Sequence, residues 1–408
     1  MASITIEQAL QLAAVYERAG RLADAERICQ NVLAARPGHT PARQQLASIA
    51  AMRMASARPL RRRLCYAGDS RGNFGWGVCN TNLIRELSRL VELVGPWSTS
   101  AEAVGFEQGE VFMPLVDQNF TPCSSMRGRR NFAYTFFEQE LGANVPMEAA
   151  KYEIVFCGSS WCLERMRERG ITNGQVLLQG VNHEIFRTTP PAAHHRRGAF
   201  RIFSGGKFEY RKGQDIAIVA FREFLRRHPD ATLVCAWNNP WPKTIWTMRS
   251  SPHLSLVEGS FSDQRALFQA LLVENGIPPA NVEILPPLSQ QDLAAAMAST
   301  DIGLFPNRCE GGTNLILMEY LACGRPVVAS GATGHRDVLA PENAIAVPPR
   351  LKANGWDEPE IAALVEAMDV LCQDTTRRAK LGLGAGTFME RWSWRRTAET
   401  ILQAIYPA

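Results

Sequence analysis

Two segments of this chain set charged side chains and glycines at spacings that could bind an anion. In the first, FSGGKFEYRKGQD (203–215), an apolar run leads into Gly205 and Gly206, then Lys207, then Lys212 and Gly213 at the mouth of a helical pattern. Glycine frees backbone amides and a helix N-terminus presents more, so the turn reads as an anion site. Two lysines five residues apart add point charges. In the second segment, NRCEGGTNLILMEYLACGRPVV (307–328), Glu310 and Glu319 flank Gly311, Gly312, Thr313 and Asn314. On one continuous helix these two carboxylates would lie roughly 180° apart. The apolar run from Leu315 is helical in character. A start near Thr313 or Asn314 leaves Gly311, Gly312 and Thr313 as exposed donors, with Glu310 in the loop and Glu319 on the helix. Phosphate at such a terminus gains roughly 0.3–2 kcal/mol per charge. The plain alternatives are solvated lysines on a surface turn, a turn role for Glu310, and a buried carboxylate satisfied by backbone for Glu319. A third loop, SGATGHRDVL (330–339), brings Gly331, Gly334 and His335 toward the same sheet edge, or is simply solvated.

Elements that could position these residues follow from the periodicity. From Arg61 onward strand and helix patterns alternate. RLCYAGD is followed by a glycine-rich turn at Gly72, Gly75 and Gly77, and by a helix over 79–90. VELVGPW, VFMPLVD, NFAYTFFE and YEIVFCG are further short apolar strands. A polar, proline-rich linker occupies about 182–200. A second series begins at RIFSGG and runs through ATLVCAW, VEILPPL, DIGLFPN, PVVAS and AIAVPP, with QDIAIVAFREFLRRH and QQDLAAAMAST as helices. Short apolar strands alternating with helices indicate parallel sheets covered on both faces. The fold class is therefore α/β, with two tandem Rossmann-like doubly wound domains. Ligands of such sheets sit beyond the carboxyl ends of the strands, and with two sheets the cleft between them is the default site.

Composition narrows the class. At 408 residues the chain can hold two or three domains. A net charge of +4 is too small to argue for nucleic acid. The start MASITIEQALQL has no signal-peptide pattern, and no run of 18 apolar residues occurs, so no transmembrane segment is expected. Ten cysteines without a CxxC pair point to free thiols and no zinc site. There is no Asp-x-Asp to hold a divalent ion, so no metal and no cofactor are expected. The expected location is the cytoplasm, free or peripheral at the inner face of the membrane.

The N-terminal residues form two helical stripes. Ala9, Leu12, Ala13 and Tyr16 make one; Ala25, Cys29 and Val32 make the other, with Gly20 between and Pro37 after them. Tyr16, Gly20, Ala25 and Pro37 resemble a tetratricopeptide repeat, and 40–55 resembles the first helix of the next. Such a segment acts as a helical bracket for the body or as a docking surface for a protein partner.

The body, about residues 62–405, resembles the GT-B glycosyltransferases, specifically the retaining glycosyltransferase family 4. GKFEYRKGQD matches the motif that holds the donor diphosphate, which implies that role for Gly206, Lys207 and Lys212. EYLACGRPVVAS matches the segment of the family's second glutamate, implying that Glu319 bonds the nucleotide ribose. VLLQGVNHEIF resembles the interdomain stretch, WSWRRTAETIL the C-terminal helix that crosses back, and NFGWGVCNTNLIREL the acceptor-side loop and helix. The implied domains are 1–57 (tetratricopeptide-like helices), 58–183 (acceptor domain), 184–388 (nucleotide-sugar donor domain) and 389–408 (returning helix). Two departures stand out. The family separates its glutamates by seven residues, whereas eight intervene here, so aligning on Glu319 puts Gly311 in the first position. A one-residue bulge in the Gly-Gly turn would restore Glu310 beside the donor sugar. Second, no histidine occurs between His39 and His183, so Asp117 and Glu138 are offered by position for the acceptor side, with Gly75 and Gly77.

The implied reaction moves a sugar from a nucleotide diphosphate sugar to a hydroxyl of a glycan or protein. Retention is implied, with Glu310, Lys212 and Lys207 as catalytic residues, and Gly206, Lys207, Lys212, Glu310, Gly311, Gly312, Thr313, Asn314 and Glu319 binding the donor. Lysines and helix-end amides would stabilise the leaving diphosphate. The alternative is a non-catalytic scaffold on a degenerate transferase body, binding a nucleotide sugar or a protein. Arg127, Arg129 and Arg130 read as a solvated face or an acidic-acceptor contact; Trp237, Trp241 and Trp246 read as loop packing or a base-stacking platform.

Overall fold

A computed structural model describes residues 5–18, 21–56, 62–68, 75–95, 109–190, 199–351 and 356–407. Gly20, Gly72 and the centre of the proline-rich linker lie outside the described residues. The chain divides near residue 62 into two compact units. The first holds α1 (Ile6–Arg18), α2 (Leu22–Ala35) and α3 (Thr40–Ser56). Ala13, Ala25, Cys29 and Ile49 form its small core, and Ala9, Val32 and Ala42 a second cluster.

The second unit contains two six-stranded parallel sheets. The first comprises β1 (Arg63–Tyr66), β2 (Glu92–Val94), β3 (Glu110–Leu115), β4 (Arg130–Thr135), β5 (Ile154–Cys157) and β6 (Gly174–Val176), in the order β2-β1-β3-β4-β5-β6. Its helices are α4 (Gly75–Leu90), α5 (Val145–Ala149) and α6 (Ser160–Glu168). The second comprises β7 (Arg201–Gly206), β8 (Thr232–Trp237), β9 (Val282–Ile284), β10 (Ile302–Phe305), β11 (Val327–Ser330) and β12 (Ala344–Val347), in the order β12-β11-β10-β7-β8-β9. Around it lie α7 (Gln214–Leu225), α8 (Gln264–Glu274), α9 (Gln290–Ala298), α10 (Leu315–Ala322), α11 (Ile361–Gln373) and α12 (Thr375–Met389). The short hairpin β13 (Pro349–Leu351) and β14 (Asp357–Pro359) follows the second sheet. Helix α13 (Trp394–Ile405) ends the chain.

Each sheet is covered on both faces, as runs such as the fully buried EVFMPL of β3 require. One face of the second sheet packs Ile216, Phe221, Phe268, Leu364 and Met368; the other packs Leu317, Leu321, Phe203 and Met389. Trp394, Ala398, Ile401 and Ile405 of α13 pack instead among Leu64, Phe112 and Leu83 of the first sheet and α4. The returning helix is tied there by Thr397 Oγ1 to the Leu178 carbonyl (3.1 Å) and by Arg130 Nη1 to the Ile405 carbonyl (2.7 Å).

One expected boundary moves. Gly75 and Gly77 lie within the first turn of α4, not in the turn before it. Glycine is a weak helix former, but the buried stripe Cys79, Leu83 and Leu87 anchors the helix and tertiary packing outweighs propensity. In the second sheet the strand order reverses between β7 and β10. The loops after those two strands therefore diverge and leave a crevice at their carboxyl ends. They are the two segments singled out for anion binding.

Candidate active site

The loop after β7 closes as a single 3-10 turn, Tyr210–Lys212. Gly213 follows with φ +72° and sits where a Cβ would lie 2.2 Å from the Pro306 carbonyl oxygen, so only glycine lets the two loops meet. That contact sets Lys212 against the loop after β10. Its Nζ donates to both carboxylate oxygens of Glu310, at 2.7 and 2.9 Å. Arg211 Nη1 reaches the same carboxylate at 3.1 Å and the Cys309 carbonyl at 3.1 Å, and Asn307 Nδ2 also donates to Glu310. Burial alone would raise the Glu310 carboxyl, but Lys212 and Arg211 dominate and hold it down to about 2. Lys212 moves down from its ordinary value, because burial outweighs the pull of Glu310.

Beneath this cluster the loop is braced by a buried ion network. Arg308 grips Asp215 with two bonds of 2.8 and 2.7 Å, donates to Glu358 at 2.9 Å and lies 3.8 Å over the Tyr210 ring. Sequence reasoning passed over Arg308 and Arg211, although both stand beside residues it selected. Lys207 is further out, paired with Glu209 at 2.9 Å and 5.5 Å from the Trp241 ring centroid.

Glu310 is followed by four residues that are all buried. The expectation of exposed amides is thus corrected: the first sheet's loops close over them. A Cβ on Gly311 would lie 2.3 Å from the Phe137 carbonyl oxygen, and one on Gly158 would lie 3.1 Å from Gly312 Cα. The Gly311 carbonyl accepts from Ser159 Oγ at 2.7 Å. The backbone N–H groups of Gly311, Gly312, Thr313 and Asn314 find no protein acceptor among the described residues. Buried amides are almost always paired, and four unused donors in a row have the chemistry to hold an anion.

Asn314 caps α10, accepting from Leu317 N at 3.5 Å, and adopts φ +63°. Gly311 and Gly312 before it keep negative φ, so the left-handed residue of this turn is Asn314. Asparagine tolerates this conformation better than most side chains. Its Nδ2 lies 3.0 Å from His335 Nε2, while His335 Nδ1 lies 3.2 Å from the Ser330 carbonyl. Since a carbonyl only accepts, Nδ1 carries the proton and Nε2 accepts from Asn314. Burial draws His335 down to about 4 and keeps it neutral for this role. The loop after β11 packs just as closely: a Cβ on Gly334 would lie 1.7 Å from the Gly312 carbonyl oxygen. Thr333, at φ +46°, accepts from Glu310 N at 2.9 Å. The SGATGHRDVL loop thus holds the cradle's shape.

Glu319 lies in α10, only 6% exposed, and among the described residues no protein donor reaches its carboxylate. Burial alone pushes it up to about 8. A largely buried carboxyl without a protein partner at a sheet's switch point is suited to a polar ligand. On the first sheet's side, Glu138 extends from the loop after β4 to Arg211 Nη1 at 3.3 Å. Asp117 does not approach this cluster by any bond; it caps its own turn through Asn119 N, Thr121 N and Thr121 Oγ1. Gly75 opens α4 with space around it. Arg129 and Arg130 pair with Glu110 and Glu153, and Trp237 is buried in the second sheet's core.

Residues 199–374 match the family model described as "Glycosyl transferases group 1". A D-inositol 3-phosphate glycosyltransferase from Jonesia denitrificans is 25% identical over 244 residues, 57% of this chain and 50% of that protein. A GDP-mannose-dependent alpha-(1-6)-phosphatidylinositol monomannoside mannosyltransferase from Mycolicibacterium smegmatis is 29% identical over 232 residues, 54% of this chain and 52% of that protein. The chain thus spans about half the length of the curated relatives it matches. Among solved structures, Anabaena HepE in complex with UDP and glucose superposes with a TM-score of 0.56, at 12% identity, over 85% of this chain and 100% of that one. The two facing doubly wound domains form the GT-B fold.

Proposed function

We propose that this protein is a glycosyltransferase that moves a sugar from a nucleotide diphosphate sugar to an acceptor hydroxyl, with retention and without metal. The observation that carries the reading is the row of unused amides from Gly311 to Asn314 at the switch point, beside Lys212 and above the unpartnered Glu319. The amides and Lys212 receive the donor diphosphate, with Lys207 and Gly206 at its outer edge. Glu319 bonds the ribose hydroxyls. Glu310 stands beside the sugar and, through Lys212 and Arg211, keeps both cations aimed at the cradle.

Negative charge builds on the leaving diphosphate in the transition state. Fixed amides and a buried lysine stabilise that charge without reorganising. The same charge neutralisation is what a divalent ion would otherwise supply. The departing phosphate oxygen takes the acceptor's proton, so the reaction does not depend on a histidine from the first domain. Loops closed over Gly311 and Gly312 exclude water and limit donor hydrolysis.

This reading divides the chain into a helical segment (1–57), an acceptor domain (58–183), a donor domain (184–388) and a returning helix (389–408). Gly75 and Gly77 at the start of α4, with Glu138, face the acceptor; Asp117 serves its loop. The tetratricopeptide-like helices favour a protein acceptor, and the relatives' names point to inositol-containing ones. Among the described residues no helix is long and apolar enough to cross a membrane. UDP in HepE and GDP-mannose in the mycobacterial relative set the first nucleotides to try. The test is incubation with a panel of UDP-, GDP- and ADP-sugars while nucleoside diphosphate release is followed. Slow release from donors of one base supports the reading; no release and no binding across the panel at millimolar concentration overturns it.

A further inference from the structure

The cations of the proposed diphosphate site are already engaged by carboxylates, and these differ in how firmly they are held. Glu209 is gripped by Lys207 at 2.9 Å and approached by Arg211 at 3.5 Å; its side chain is 9% exposed. Glu310 is gripped by Lys212, Arg211 and Asn307, with 5% exposure. Among the described residues the Glu138 side chain has one partner, Arg211 at 3.3 Å; it is 28% exposed and comes from the first sheet's domain. Its backbone, in contrast, is pinned: its carbonyl accepts from Trp356 Nε1 at 2.7 Å and from Cys309 Sγ at 3.8 Å. The side chain can therefore swing while its Cα stays against the donor domain.

We infer that Glu138 is the carboxylate a donor diphosphate displaces from Arg211. The inference rests on the diphosphate site proposed above. Three cations (Lys207, Arg211, Lys212) face three carboxylates (Glu138, Glu209, Glu310), so an added diphosphate competes with these carboxylates for the cations. Glu138 is the least held of the three and the one that belongs to the acceptor's side. Glu138 is then a positioning residue in the donor-binding step.

The experiment is calorimetric titration of UDP, GDP and ADP, with the matching nucleosides, into wild type, Glu138→Gln and Glu138→Asp, with melting curves as a folding control. Loss of a partly exposed competing ion pair should tighten the preferred diphosphate about five-fold in Glu138→Gln. Nucleoside affinity should stay level, and Glu138→Asp should restore most of the competition. A residue with a merely structural role gives a loss on substitution, so the sign of the change decides. Unchanged or weaker diphosphate binding by Glu138→Gln overturns the inference while leaving the diphosphate site intact. Absence of diphosphate binding by wild type overturns the site and the inference together.

Discussion

Replacing Glu319 by glutamine should stabilise the protein while impairing its ligand site. Burial lifts the Glu319 carboxyl from an ordinary 4.5 to about 8, with no donor nearby to compensate. The unfolded chain releases this proton near pH 4.5 and the folded chain near pH 8. Stability therefore falls as pH rises through that window and levels off above it. At pH 7 the window has been crossed by 2.5 units, and at about 1.36 kcal/mol per unit the loss is about 3 kcal/mol. Glutamine keeps the shape and lacks the ionisation, at the cost of one more N–H donor to satisfy than the protonated acid has. At roughly 2–4 °C per kcal/mol, Glu319→Gln should melt about 6–12 °C above wild type at pH 7. Melts at pH 5, 6, 7 and 8 without nucleotide check this: the gap should be small at pH 5 and widest at pH 8. The variant should also lose the preference for a ribonucleotide over its 2′,3′-dideoxy analogue. A pH-independent gap, or a variant less stable than wild type at pH 8, would refute the reasoning.

Lys212→Ala should weaken nucleoside diphosphate binding by about ten-fold or more, the value of a charge-assisted hydrogen bond, with nucleoside binding little changed; equal losses would make the lysine structural. The same variant releases the Glu310 carboxyl from about 2 toward its ordinary 4.5. Wild type carries that stabilisation in full above pH 4.5 and loses it as pH falls toward 2, so the two melting curves should converge on acidification. Gly334→Ala places a Cβ 1.7 Å from the Gly312 carbonyl oxygen. It should lower stability by about 1–3 kcal/mol or more and abolish nucleotide binding, since backbone cannot yield as a side chain tip can; a native melt with intact binding would contradict the packing. Removing residues 1–55 should spare donor hydrolysis and reduce transfer to a protein acceptor; a body that no longer folds would favour the bracket role.

Much of this architecture was legible because its signals are local. Apolar runs of four to six residues marked most of the buried strands, and the glycine-lysine and Glu-Gly-Gly segments pointed to two loops that the topology brings to one crevice. β6, with the sequence GQV, escaped because it is only three residues long and half polar. The β13–β14 hairpin escaped because Pro349 and the acidic DEP read as loop. Asn314 was unreadable for another reason. Its left-handed φ goes with a contact that no local pattern announces, from its side-chain amide to His335, twenty-one residues later. Arg211 and Arg308 were passed over since a charged run resembles solvent-facing surface until the partners Glu310, Glu138, Asp215 and Glu358 are seen to converge from distant segments.

The central claim is that the Gly311–Asn314 amides and Lys212 receive a nucleotide diphosphate. Calorimetric titration of UDP, GDP and ADP against uridine, guanosine and adenosine measures it directly. One diphosphate should bind at least about ten-fold more tightly than its own nucleoside, because the charged group meets preset donors. Equal affinity for diphosphate and nucleoside, or no binding of any diphosphate at millimolar concentration, would contradict the account.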